Sequence, residues 1–225
     1  MRDLFRPATV RSGCVYALVV TALVTPQIVA YGELSSAASF TPMVLAALLC
    51  HFLAGLVLFG WGSRAPMPGL FRDRVTTQRG IGVSVGAACI VGGVMMLLDP
   101  ILKQAVIDGQ FGYTVGIKYP ETVWGCATLM FWQVGFSSLL FTASALVYLV
   151  RLTGRLGFSM ALVVLVQGGM SAYQLEGFEV SSTFWGLLLI GMISRLVSCM
   201  LFLRYGLIGP VVFGAIVAFR VVFSI

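Results

Sequence analysis

The sequence predicts an all-α integral membrane protein: a polytopic bundle of about seven transmembrane helices, N-terminus cytoplasmic and C-terminus outside. Three observations carry that prediction. The 225 residues are 59% hydrophobic and 10% charged, whereas a soluble domain carries about 25% charged residues. The apolar residues gather in runs of bilayer-crossing length, which takes about 20 residues. The basic residues gather in alternate connecting segments. So few charges cannot cover a globular surface, which leaves the rest to lipid. The length suits a single transmembrane domain over 1–225.

The runs fall at about 14–32, 41–61, 80–101, 122–150, 156–174, 183–203 and 206–224. The first follows Arg2, Arg6 and Arg11 and lacks a usual A-x-A cleavage site, so it reads as an uncleaved span rather than a signal peptide. The fourth is longer than the hydrocarbon thickness requires and must tilt or project. Only Arg204 and Tyr205 separate the last two, which makes them a tight helical hairpin.

Charge fixes the orientation. Segments on one side hold Arg2, Arg6, Arg11, Arg64, Arg72, Arg74, Arg79, Arg151, Arg155 and Arg204; the other side holds Lys103 and Lys118. The Lys/Arg-rich side is cytoplasmic. Glu33, Asp108, Glu121, Glu176 and Glu179 fall outside, with Asp99 at the outer end of the third span. A wrong span count would scramble this parity. The net charge of +6 is therefore a topology signal, and with no RNA-recognition, zinc-finger or basic-helix motif it implies no nucleic-acid partner. No Asn occurs, and Arg outnumbers Lys twelve to two. That composition suggests a GC-rich bacterial genome and hence a multi-pass protein of the inner (plasma) membrane.

Two loops are long. Residues 62–79 read as a basic juxtamembrane linker on anionic lipid, with a docking surface as the alternative; Pro66 and Pro68 prevent a continuous helix. Residues 102–120 read as an interfacial hairpin turning at Asp108-Gly109, with Phe111, Tyr113 and Tyr119 at the interface, or else as a lid. Gly82, Gly86, Gly92 and Gly93 allow close helix approach, within the bundle or with a partner. Cys14, Cys50, Cys89, Cys126 and Cys199 lie in apolar runs without metal-ligand spacing and read as small buried hydrophobes.

Polar groups at membrane depth are the functional candidates. His51 sits mid-span in LLCHFLAG. As the single His of the chain, it lacks companions for a metal site and reads first as a bond to a neighbouring helix. Arg195 lies near the middle of the sixth span. It pairs with Gln133, Gln167 or a backbone carbonyl, snorkels toward the near interface, or contacts a substrate or headgroup. Gln27 follows Pro26 and is placed to satisfy the carbonyl that the proline frees. Gln133, Gln167 and Gln174 are hydrogen-bond glue. Arg220, near the outer end of the last span, most simply reaches outer headgroups. No carboxylate lies at the centre of the set, which argues against proton- or sodium-coupled transport. No G-x-S-x-G, H-E-x-x-H or P-loop occurs. No catalytic residue, metal ligand or cofactor is predicted.

Residues 120–225 resemble the membrane-embedded CAAX-protease and bacteriocin-processing (Abi) family in layout: a long helix four, the basic turn RLTGR, helix five, an acidic loop, helix six and the stretch LFLRYGLIGPVVFGAIVAF. The family's E-E-x-x-x-R, F-x-x-x-H and later His motifs would fall near Trp132-Gln133 and Ser137, near Ser171 and near Ala215. None of these positions carries Glu, Arg or His where the motif demands it. The resemblance thus implies a catalytically silent relative.

Three functions remain. The first is a non-catalytic subunit, scaffold or accessory protein that binds a partner, lipid or pigment in a larger membrane assembly, its partners being the bilayer and other membrane subunits. The second is a small transporter or channel lined by His51, Arg195 and the glutamines. The third is a membrane enzyme on a lipid or isoprenoid substrate with His51 as base, the weakest for want of a carboxylate or metal partner.

Overall fold

The computed structural model describes residues 3–34, 41–62, 67, 69–108, 120, 122–174 and 182–220. These form seven helical rods in chain order and no strand. The rods are α1 (Pro7–Leu34), α2 (Thr41–Trp61), α3 (Arg74–Asp108), α4 (Val123–Thr153), α5 (Leu156–Gln174), α6 (Ser182–Tyr205) and α7 (Ile208–Phe219). Among the described residues five helices are long and apolar enough to cross a membrane; Leu156–Gly169 and α7 are shorter apolar helices. Large apolar side chains cover much of the exterior, while several polar ones are buried inside. Ile90 and Leu97 are 72% and 78% exposed, while His51 and Arg195 are 0% and 6%. A water-soluble bundle has the opposite arrangement, so this is the character of a multi-pass membrane protein.

Helix boundaries follow local chemistry. Pro7 opens α1, where its missing N–H costs nothing. The helix therefore starts well before residue 14 and carries on through Pro26. Asp73 caps α3: its carboxylate accepts from the backbone N–H of Thr76 at 3.1 Å. That cap draws Arg74 and Arg79 into the helix and shortens the loop expected over 62–79. The described part of that loop is no free linker, because Met67 and Leu70 are buried against Leu58, Leu146 and Phe202. At its other end α3 passes through Pro100 to Asp108, so the start of the expected hairpin over 102–120 is helical. Phe111, Tyr113 and Tyr119 lie outside the described residues. Gly154 ends α4 in the left-handed region at φ 66°. Gly206, at φ 70°, makes the α6–α7 turn, two residues later than expected. The carbonyl of Leu70 crowds Gly206 and accepts the N–H of Leu207 at 2.9 Å.

α4 is the central rod and touches α1, α2, α5, α6 and α7, whereas α3 lies on the periphery against α6 and α7. Gly82, Gly86, Gly92 and Gly93 have open space where a Cβ would stand, so they mediate no close approach among the described residues. The close approach is elsewhere, where α1 crosses α2: a Cβ on Gly55 would lie 2.9 Å from the Cα of Gly13. Cysteine placement also differs from expectation. Cys126 and Cys199 are buried, but Cys14, Cys50 and Cys89 are exposed on the apolar exterior.

The middle of α4, Gln133–Ser144, is π-helical. The N–H of Ala145 donates to the carbonyl of Leu140, five residues back. Side chains follow the same spacing: Thr142 donates to the Ser137 carbonyl and Ser144 to the Leu139 carbonyl, each at 2.8 Å. Such winding normally occurs as a single turn and is frequent at functional sites. Here it runs for 12 residues.

Candidate functional site

The π-helical segment holds a polar centre on each of two faces. On one, Gly135 and Phe136 face His51 of α2. The His51 ring sits 4.9 Å from that of Phe136 and 6.3 Å from that of Tyr16, edge-on to both. Its Nδ1 lies 3.3 Å from the hydroxyl of Thr21 on α1. Nε2 of His51 and the hydroxyl of Tyr16 are buried without a hydrogen-bond partner among the described residues. Further along the α1–α4 seam, Thr128 donates to Oε1 of Gln27 at 2.9 Å. Gln27 thus joins two helices there.

The other face receives Arg195 of α6. Its Nη1 donates to the Ser137 carbonyl and to the Thr142 hydroxyl. Nη2 donates to the Ser137 hydroxyl at 2.6 Å and to Oε1 of Gln167 on α5 at 2.7 Å. Gln133 donates to the same Ser137 hydroxyl at 3.0 Å. Three helices therefore meet on one guanidinium. Its planar fork of donors suits this task better than a lysine's point charge. The helix register is part of the geometry, since Ser137 and Thr142 share a face only because the winding between them is wide.

A cavity of about 160 Å³ adjoins this network. Gln133, Ser137 and Ser138 of α4 form one wall, with Gln167 of α5. Ser194, Arg195 and Ser198 of α6 form another, and Met95, Phe213 and Gly214 close it from α3 and α7. Gly214 is required there, because a Cβ would run into the hydroxyl of Ser138. Two larger grooves, about 410 and 360 Å³, run along the outside of α1 and α2. Apolar side chains such as Leu18, Leu49 and Met43 dominate their walls, with no charged side chain to orient a ligand.

Of the five intramembrane polar candidates, the structure brings Arg195, Gln133 and Gln167 to one cavity and leaves His51 and Gln27 on the α1 side of α4. No single path is lined by all five. Sequence reasoning named Ser137 only as a place where a protease motif would fall, and did not single out Ser138, Thr142, Ser194 or Ser198. The available signal was local: four hydroxyls in SSLLFTAS, and serines flanking Arg195 at one residue before and three after.

Arg220 was expected at headgroups and is instead paired. Its Nε and Nη2 donate to the two carboxylate oxygens of Asp99, each at 3.2 Å, and Nη1 donates to the Val217 carbonyl at 2.8 Å. The two-pronged match of guanidinium to carboxylate is a strong charge-assisted pairing that holds the side chain within the bundle. At the opposite end of the bundle, Arg151 lies over the Trp61 ring at 5.9 Å and Arg204 over Tyr205 at 5.6 Å. Among the described residues no group of three or more His, Cys, Asp or Glu side chains could hold a metal ion. Comparison of the chain with family models, with curated proteins and with solved structures finds no match.

Proposed function

We propose that the chain is a seven-span protein of the inner membrane, N-terminus cytoplasmic and C-terminus outside, acting as a non-catalytic accessory subunit that binds a ligand within a larger assembly. The observation that carries this reading is the Arg195 cage. Guanidinium, two glutamine amides and several hydroxyls converge on one cavity from three helices. Such groups hold and orient; none is a base, and among the described residues no base touches the hydroxyls within the cage. The basic end, with Arg151, Arg155 and Arg204, is the cytoplasmic one in this reading. The layout likeness to the Abi proteases fits a catalytically silent relative. Gln133 and Ser137, where that family's helix-four motif would fall, line the cavity, and Gly214 beside Ala215 lines it too.

Copurification tests the reading. Gentle solubilisation followed by identification of what travels with the protein is expected to yield a stoichiometric membrane assembly. A monodisperse lone protein that supports solute flux in liposomes would overturn it in favour of a transporter. Orientation is checked by reporter fusions: alkaline phosphatase is expected to be active after residue 225 and inactive within 62–79. The reverse pattern refutes the topology.

A further inference from the structure

We propose that the Arg195 cavity binds a small oxyanion, a carboxylate or phosphate group, carried either by a free molecule or by a lipid headgroup. The inference rests on the reading of the chain as a binding protein and names the ligand chemistry.

Charge is the first argument. The Arg195 side chain is 6% exposed. The ion pairs among the described residues are Asp3–Arg6 and Asp99–Arg220, neither of which involves it. Its four hydrogen bonds go to a carbonyl, two hydroxyls and an amide, all neutral. These satisfy its geometry and leave its charge uncompensated. A buried charge in a low-dielectric site is costly unless an opposite charge joins it.

The second argument is the polarity of the cavity wall. Ser137 accepts two hydrogen bonds at its hydroxyl oxygen, from Arg195 and from Gln133. Both lone pairs are used, so only its own proton remains to be given. Ser138 and Ser198, 2% and 4% exposed, line the same cavity. Each hydroxyl carries a proton that can be given to a ligand. Donors and a cation thus face one space. An oxyanion can accept from such hydroxyls and supplies the charge opposite to Arg195, whereas a cation would meet like charge.

Size is the third. Cavities for whole drug-sized ligands run to about 300–1,000 Å³, and this one is about 160 Å³. It fits one charged group of a ligand, with any apolar remainder outside.

The test uses the purified full chain in an uncharged detergent at constant ionic strength, reading its thermal unfolding midpoint. One arm titrates sodium acetate and sodium phosphate against sodium chloride. The other titrates oleate and dioleoyl phosphatidic acid against dioleoyl phosphatidylcholine. A ligand that binds only the folded state raises the midpoint progressively above its dissociation constant. A rise in the first arm identifies a free anion; a rise confined to the second identifies a lipid headgroup. Ser194→Leu fills the cavity from α6 while leaving the four Arg195 bonds in place, and is expected to weaken the response at least tenfold. No rise in either arm, or an undiminished rise in the Ser194→Leu variant, overturns the inference. The outcome is separable from the assembly test: a protein purified alone that still responds to oxyanions loses the subunit reading only.

Discussion

Removing one partner of the Asp99–Arg220 pair is expected to cost far more than removing both. The two side chains differ in exposure, 3% for Asp99 and 17% for Arg220. Charge centres about 4 Å apart attract by about 4 kcal/mol at an effective dielectric of about 20. Arg220→Gln takes the bidentate cation from the more deeply buried partner, at a cost of about 3–5 kcal/mol. Asp99→Asn is milder, because Arg220 keeps its bond to the Val217 carbonyl and extends toward the surface. The double variant Asp99→Leu with Arg220→Met removes both desolvation penalties and is expected to lie within about 1–2 kcal/mol of the parent. The assay is a double-mutant cycle from unfolding titrations in mixed micelles. Single costs that simply add, with a coupling term below about 0.5 kcal/mol, would refute the claim that the pair holds α3 to α7.

Two further predictions concern packing and capping. Gly55→Leu places its side chain against the Gly13 backbone and is expected to destabilise the α1–α2 crossing by about 1–3 kcal/mol; Gly82→Leu, pointing into open space, should cost little in the same titration. Asp73 is held below its ordinary pKa chiefly by hydrogen bonds from the Thr76 side chain and backbone. A depressed carboxylate pKa means the folded state favours the ionised form. The cap's contribution is therefore complete above the unfolded pKa and lost as pH falls through the folded one. The stability gap between parent and Asp73→Asn is expected at pH 6 and should close toward pH 3; a gap that widens on acidification contradicts the cap.

The apolar runs made the rods legible, because hydropathy reports burial in lipid directly. The run over 41–61 became Thr41–Trp61 without change. Boundaries moved where a single residue outweighed the pattern, as Pro7 did for α1 and Asp73 for α3. The partner of Arg220 was not legible, since Asp99 lies 121 positions away and only tertiary packing brings them together. Of the cavity, Arg195, Gln133 and Gln167 stood out as costly groups at membrane depth. The serines did not, because a hydroxyl in a helix ordinarily satisfies itself on a backbone carbonyl of its own turn. The π winding has no hydropathy signature at all: shifting from four-residue to five-residue bonding changes which side chains stack without changing how apolar they are.

That winding sets the phase of the whole central rod. In an α-helix each residue advances by about 100°, so positions five apart point about 140° away from one another. Ser137 and Thr142 could not then both meet the same guanidinium. Arg195 works as a peg that fits the broad pitch and would find only one tooth of the narrow one. The phase is carried onward to Ala145–Thr153, where Arg151 is seated over Trp61. Rewinding the 12 residues to the tighter pitch would turn this end against the other, unseating Arg151 as Arg195 lost its grip. A contact deep in the bundle and one at its basic rim are thus clocked by the same stretch of backbone.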